Sequence, residues 1–275
     1  MSKSAMKKDE SENLQAVRSV EALCFRAAQA DGRVETSDVV AESALTITVT
    51  DVGSYTLMCT PADLKALAVG FAFSEGMIST VGDINLLALC EDQPDAIRME
   101  IRSPQLATAE RNLVVTSSCG MCGRRDIAEL LSAWPRCGDA LRVPPTLLND
   151  MVAKMHARQT MFATTGGTHA AAIFATSGDI IGFGEDIGRH NGLDKAIGQC
   201  VLMGLPMTGC GVALSGRVSF ELVAKSVRAG LELLTAVSAP TSLAIDAAER
   251  AGITLCAFVR DDRATVYTHP HRING

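Results

Sequence analysis

Cys119 and Cys122 stand in the run Ser117-Ser118-Cys119-Gly120-Met121-Cys122-Gly123-Arg124-Arg125, a Cys-x-x-Cys framed by glycine and followed at once by two cations. A thiol is a useful nucleophile only when ionised, and nearby cations and helix N-termini both favour the thiolate. Both aids are close, because Ile127, Leu130, Leu131 and Trp134 follow the i, i+3, i+4, i+7 spacing of an amphipathic helix. The cysteines are therefore expected in a loop leading into that helix. Gly120 and Gly123 keep such a loop pliable and open to close approach by a partner. Three chemistries fit the spacing: holding a metal, exchanging a disulfide, and carrying sulfur as a persulfide. Structural zinc needs four ligands; the pair supplies two and Cys137 a third, with no second pair and no nearby histidine doublet. A thioredoxin-like site has the dithiol spacing, yet that fold sets the motif after an early strand in a chain about half this long. Two incidental cysteines in a turn would not need the glycine frame. Persulfide carriage leads on chemistry, with the metal and redox readings open beside it.

A second group of polar segments falls where strands are expected to end. Thr164-Thr165-Gly166-Gly167-Thr168-His169 reads as a turn before a strand, able to offer backbone N–H groups to an anion, with His169 its sharpest residue. Glu185 to Lys195 packs six ionisable groups and two glycines between a strand and a helix, the place where open α/β sheets bind ligands. A solvated charged loop is the plain alternative, but Arg189, His190 and Asn191 are three different planar hydrogen-bonding groups. In Ser215-Gly216-Arg217-Val218-Ser219 a polar turn leads into a helix, a setting that cradles phosphate with Arg217 as a fork. The Gly-Lys-Ser/Thr ending of a Walker A loop is missing. Ser238 to Ser242 is explained by helix capping alone. The run Phe258-Val259-Arg260-Asp261-Asp262-Arg263 reads as a hairpin turn whose two arginines, beside the other strand-end turns, point to one pocket for a phosphate-rich ligand.

These residues need a scaffold, and the chain can build one. With 275 residues, 47% of them apolar, it can bury one large core or two smaller ones. A net charge of −6 disfavours a broad nucleic-acid footprint. No apolar stretch approaches the roughly 20 residues that span a bilayer, and the best, Leu64 to Phe73, looks amphipathic. Met1 to Asn13 is polar with no apolar run behind it, so a cytoplasmic address is expected. Of nine cysteines, Cys24, Cys59, Cys90, Cys200, Cys210 and Cys256 sit singly in apolar surroundings and read as buried reduced thiols.

Thr60-Pro61-Ala62-Asp63 predicts a helix with Thr60 as N-cap and Pro61 at its first position, closed by Gly76. Strands are expected at Ile97 to Arg102 and Leu113 to Val115, and a helix through Leu147, Leu148, Met151, Val152 and Met155. From Thr164 on, apolar runs alternate with helices: strands at Ala170 to Phe174, Ile180 to Phe183, Val212 to Leu214 and Thr254 to Val259, and helices at Leu193 to Met203, Phe220 to Val237 and Ser242 to Ala251. The fold class is α/β, with a mixed or mostly parallel sheet flanked by helices. Expected divisions are a poorly ordered tail over 1–30, an α+β subdomain over 31–140 that ends in the cysteine loop and its helix, and a second domain over 141–275.

Taken together these residues resemble the FdhD/NarQ family, the sulfur-carrier accessory proteins of formate dehydrogenase. The matching stretches are Thr60 to Ile78, Ser117 to Gly123, Thr165 to Ile173, Glu185 to Gly198, Ser215 to Gly230, Ser238 to Ile245 and Thr254 to Ile273, of which the Glu-Asp-Ile-Gly-Arg-His-Asn-Gly-Leu-Asp-Lys run is the most specific. The resemblance implies a cytoplasmic homodimer whose carboxy-terminal part is a cytidine-deaminase-like three-layer domain. It implies that Cys119 accepts persulfide sulfur from an IscS-type cysteine desulfurase, with Cys122 a second or resolving thiol. The sulfur would pass to the molybdenum or tungsten bis(molybdopterin guanine dinucleotide) cofactor of formate dehydrogenase. The cofactor-contact segment falls on Phe258, Val259, Arg260, Asp261, Asp262 and Arg263, with His169, Arg189, His190, Asn191, Ser215 and Arg217 as further candidates, and GDP-like nucleotides are expected in the same pocket. No resident metal, nucleic acid or membrane is implied. A cofactor-binding chaperone that transfers no sulfur fits the same segments. Deaminase chemistry does not: residues two beyond His156, His169, His190, His269 and His271 are Arg158, Ala171, Gly192, His271 and Ile273, so no His-x-Glu exists, and Ser118 precedes Cys119 where a proline is needed.

Overall fold

The structure, a computed structural model, describes residues 16–27, 31–90, 92–102, 113–115 and 134–274. Cys119, Cys122 and the helix expected from Ile127 lie outside the described residues. Strand β1 (Val17–Cys24) pairs antiparallel with β2 (Arg33–Val40), Val17 opposite Val40 and Cys24 opposite Arg33. Part of the stretch expected as tail is thus a two-stranded ribbon, held by paired backbone and by the extended preference of its valines.

A five-stranded sheet follows, built from β3 (Ser43–Val49), β4 (Gly53–Cys59), β5 (Ile84–Cys90), β6 (Gln93–Ile101) and β7 (Leu113–Val115) in the order β5-β6-β3-β4-β7. Leu45, Ile47, Val49, Tyr55, Leu57, Cys59, Ile97 and Met99 are buried, every second residue along their strands. This face packs on α1 (Leu64–Ser74), where the Tyr55 and Phe71 rings meet at 5.2 Å between centroids.

Helix α1 departs from expectation twice. It starts at Leu64 with Asp63 in the left-handed region (φ 52°) at its N-cap, because Thr60 is held in a buried polar network instead of capping. It is also buried all round, from Ala66 to Phe73, and not amphipathic. Its second cover is a helix of the carboxy-terminal half.

That half centres on a six-stranded sheet of β8 (His169–Phe174), β9 (Ile180–Asp186), β10 (Gly211–Leu214), β11 (Leu233–Ala236), β12 (Thr254–Arg260) and β13 (Arg263–Thr268), in the order β13-β12-β11-β10-β8-β9. β10, β11 and β12 are parallel and the outer pairings antiparallel, so the sheet is mixed. Helix α2 (Pro145–Arg158) lays Leu148, Met151, Val152 and Met155 against one face, followed by the short α3 (Thr160–Thr165). Helices α4 (Arg189–Leu202), α5 (Phe220–Ala229) and α6 (Ser242–Ala251) share a core with the other face, and that core continues into α1 and the five-stranded sheet. The helix expected from Phe220 to Val237 ends at Ala229. Gly230 takes φ 73° there, and Leu233–Ala236 becomes a strand buried on both sides between β10 and β12. A strand buried on both faces has no alternation to separate it from a helix.

Helices α1 and α4 cross in close contact because neither carries a Cβ at the crossing. A Cβ on Gly70 would be driven into the Asp194 carbonyl, and one on Gly198 into the Ala66 carbonyl. Overpacking of this kind costs roughly 2–3 kcal/mol. Gly198→Ala is expected to lower the unfolding free energy by that amount, read as a lower midpoint in a urea titration; an unchanged midpoint would contradict the crossing.

Candidate functional site

The strand order puts five polar turns on one edge of the six-stranded sheet. His169 opens β8 opposite Asp186 at the end of β9, and the parallel strands β10, β11 and β12 all end on the same side. Each turn is bonded to the next. The Ser215 hydroxyl accepts from the Ala170 N–H at 2.8 Å and lies 3.5 Å from His169 Nδ1. The Val218 N–H donates to the Ala239 carbonyl, and the Phe258 N–H to the Ser238 carbonyl. The sequence-predicted segments therefore share one edge, with the Arg260–Arg263 hairpin three strand spacings, about 14 Å, from β8.

At the α4 end, His169, Arg189, Ser215 and Arg217 form one cluster. A Cβ on Gly216 would touch the His169 ring at 3.2 Å and lie 3.8 Å from Arg189 Cβ, so glycine lets the turn pass between them. Arg217 is exposed, whereas Arg189 is half-buried with its Nε–H unpartnered. Burial first, then the Arg189 and Arg217 charges, pushes the His169 pKa below its ordinary value. Neutral imidazole beside two guanidiniums is a setting for an anion, because the cations face a base and not a third charge. At the hairpin end, Asp261 (φ 53°) and Asp262 (φ 57°) make the two left-handed central positions of a tight turn, which sets Arg260 opposite Arg263. Phe258 is also left-handed (φ 53°), a conformation that a bulky side chain adopts only when its surroundings impose it.

Much of the dense Glu185–Lys195 run serves the fold. Glu185 is buried and accepts from the Phe162 N–H at 2.7 Å and the Thr168 hydroxyl at 2.6 Å, fixing the start of α3 and the turn before β8. Asn191 donates both amide hydrogens within the core, to the Met58 carbonyl at 2.8 Å and to Asp186 at 2.9 Å. His190 is buried with Nε2 2.6 Å from a Glu221 carboxylate oxygen and 3.2 Å from the Ser219 hydroxyl. Glu221 carries no signal in the sequence beyond its place in the first turn of α5.

Beside the His169 cluster a cleft of about 220 Å³ opens between α2, α3 and β8, lined by His156, Gln159, Phe162, Gly166, Gly167, Thr168, His169 and Ser215. No sequence pattern marks Gln159 or Phe162, which lie at the joint of two helices. Trp134, the first described residue after the cysteine motif, stacks on Phe220 at the start of α5, next to Ser219, with 5.3 Å between centroids.

The thiols differ in burial. Cys59, Cys200, Cys210 and Cys256 are buried as expected, while Cys24 and Cys90 are only partly buried, since the ribbon and β5 leave them near the surface. Burial pushes Cys59, Cys200 and Cys256 up to about 12, and Cys137 up to about 11. Among the described residues no group of three or more His, Cys, Asp or Glu could hold a metal ion, and no helix is long and apolar enough to cross a membrane.

The FdhD/NarQ family model matches residues 40–274 of this chain. The chain belongs to the FdhD/NarQ family. It is 38% identical over 260 residues to a sulfur carrier protein FdhD of Streptomyces coelicolor, covering 88% of this chain and 92% of that one. A protein of the same name from Sulfurisphaera tokodaii is 38% identical over 218 residues, 79% of this chain and 83% of that one. Among solved structures the chain resembles a proposed formate dehydrogenase accessory protein of Desulfotalea psychrophila, with a TM-score of 0.75 at 22% identity over 94% of this chain and 100% of that one, a likeness of fold. The FdhD/NarQ match takes in every turn of the sheet edge.

His169 supplies a direct test of the edge. With its folded pKa depressed, the unfolded chain binds the proton more readily, so this residue's contribution to stability is present above the ordinary value of 6.5 and is lost as pH falls through the folded pKa. An NMR titration of the His169 ring is expected to give a midpoint below 6.5, rising when inorganic phosphate is added. A midpoint at or above 6.5 without anion would contradict the cationic environment.

Proposed function

We propose that this FdhD/NarQ chain is a cytoplasmic sulfur carrier that serves formate dehydrogenase. The Cys119 thiolate attacks the outer sulfur of a persulfide on an IscS-type cysteine desulfurase. The S–S bond of the donor breaks, its cysteine leaves as a thiolate, and Cys119 becomes Cys119-S-SH with no net oxidation. Attack by the Cys122 thiolate on the inner sulfur then forms a Cys119–Cys122 disulfide and releases hydrosulfide, the two electrons passing from the thiols to the departing sulfur. Hydrosulfide is taken up by the metal of the cargo, a molybdenum or tungsten bis(molybdopterin guanine dinucleotide) cofactor, and a dithiol reductant restores the cysteine pair.

The cargo is held by the sheet edge. Guanine dinucleotide phosphates lie against Arg189 and Arg217 at one end and Arg260 and Arg263 at the other, with His169, His190, Asn191 and Ser215 behind the first pair and Phe258 shaping the second. GDP-like nucleotides enter the same pocket. The observation that carries this reading is the stacking of Trp134 on Phe220, because it fixes a residue twelve positions beyond Cys122 at the edge itself. Cys122 is twelve residues from Trp134, and even with Ile127 to Trp134 helical, as the spacing predicts, that length can span up to about 28 Å, against about 14 Å from β12 to β8. A homodimer and a cytidine-deaminase-like arrangement of residues 141–275 belong to the same reading.

Incubation with a cysteine desulfurase and cysteine is expected to add sulfur to the wild-type chain, located at Cys119 by mass spectrometry and absent from Cys119→Ala. A wild-type chain that gains no sulfur, and holds zinc instead, would overturn the reading.

A further inference from the structure

Gln159 joins α2 to α3 and is 2% exposed, yet neither its amide oxygen nor its amide nitrogen has a hydrogen-bond partner. Both atoms are closed to solvent, so hydration cannot satisfy them. A buried amide with both groups unpaired destabilises the free protein and is retained where something else completes it. The residue lines the cleft that also presents the Phe162 ring, 42% exposed, the Gly166-Gly167 backbone and the His169–Ser215 pair. A primary amide offers one acceptor and two donors side by side in a plane. Its complement is a ring edge with a donor next to an acceptor. A fully ionised anion has no hydrogen to give the amide oxygen, and an apolar guest would satisfy neither atom.

We propose that this cleft seats a fused bicyclic heterocycle and that Gln159 reads its lactam edge. Two rings of the proposed cargo carry such an edge, guanine and pterin, so the inference rests on the cofactor reading given above. The ring lies against Phe162 and the Gly166 backbone, where nothing stands within 4 Å of the place a side chain would take. Seating the ring takes a change of the Gln159 side-chain rotamer that brings its two closed amide atoms out into the cleft. His169 and Ser215, shared between the cleft and the cationic cluster, join the ring subsite to the phosphate subsite.

The test is calorimetric titration of the full chain with GDP and, separately, with 2-amino-4-hydroxypteridine, for wild type, Gln159→Leu and Gln159→Met. Both variants are expected to weaken one probe at least tenfold, and the probe that weakens identifies the ring. Removing an unpaired buried amide should also leave the melting temperature unchanged or raise it by about 2–4 °C. Unchanged affinity for both probes, or a wild type that binds neither, would overturn the proposal, as would destabilisation with affinities intact. Arg260→Ala with Arg263→Ala separates the two levels. Loss of GDP binding in that variant alone would leave the nucleotide reading standing and this one refuted, whereas Gln159-dependent pteridine binding without any GDP binding would do the reverse.

Discussion

Lys195 and Asp186 form an ion pair at 2.7 Å with both side chains fully buried. Two charges taken out of water are stable only if their remaining hydrogen-bonding capacity is met. Here it is met on both sides. Lys195 Nζ also donates to the Thr60 and Glu185 carbonyls, each at 3.1 Å, while Asp186 accepts from the Thr60 and Gly188 N–H groups and from Asn191. The end of β4, the end of β9 and the first turns of α4 are thereby fixed at one point, which sets the turn that carries Arg189 and His190. The preceding residue repeats the device: Asp194 binds Lys225 of α5 at 2.8 Å and accepts from Ser74 at the end of α1 at 2.7 Å. Arg228 completes the clamp by donating to the Phe73 and Ile78 carbonyls. Hydrophobic contact alone would let the two sheets slide on each other; these paired charges specify one register.

The same burial sorts the sulfur chemistry. A thiol held near 12, as at Cys59, Cys200 and Cys256, is protonated at neutral pH and cannot attack a persulfide. Packing keeps these cysteines out of competition with the Cys119–Cys122 pair, whose sequence neighbours are glycines and arginines.

Where a residue does one local job, its sequence neighbourhood reveals that job. Thr241 caps α6 by accepting from the Ala244 N–H, Gly252 ends that helix at φ 77°, and the Arg260–Arg263 hairpin sits where its aspartates predict a turn. Where a residue works through distant partners, the local pattern misleads. Thr60 has the form of an N-cap but its partners, Asp186, Ile187 and Lys195, lie more than 120 residues away. Leu233–Ala236 has no alternation because both faces are covered, and the Glu185–Lys195 run reads as a site although several of its charges bind the core. Gln159 has no local signature at all, since its importance lies in lacking partners.

Sulfur transfer through Cys119 is the central claim, and complementation tests it most directly. In cells lacking the endogenous accessory protein, the wild-type chain is expected to restore formate dehydrogenase activity and Cys119→Ala to fail while accumulating to the same level. Restored activity with Cys119→Ala would contradict the account and leave a cofactor-binding protein that transfers no sulfur.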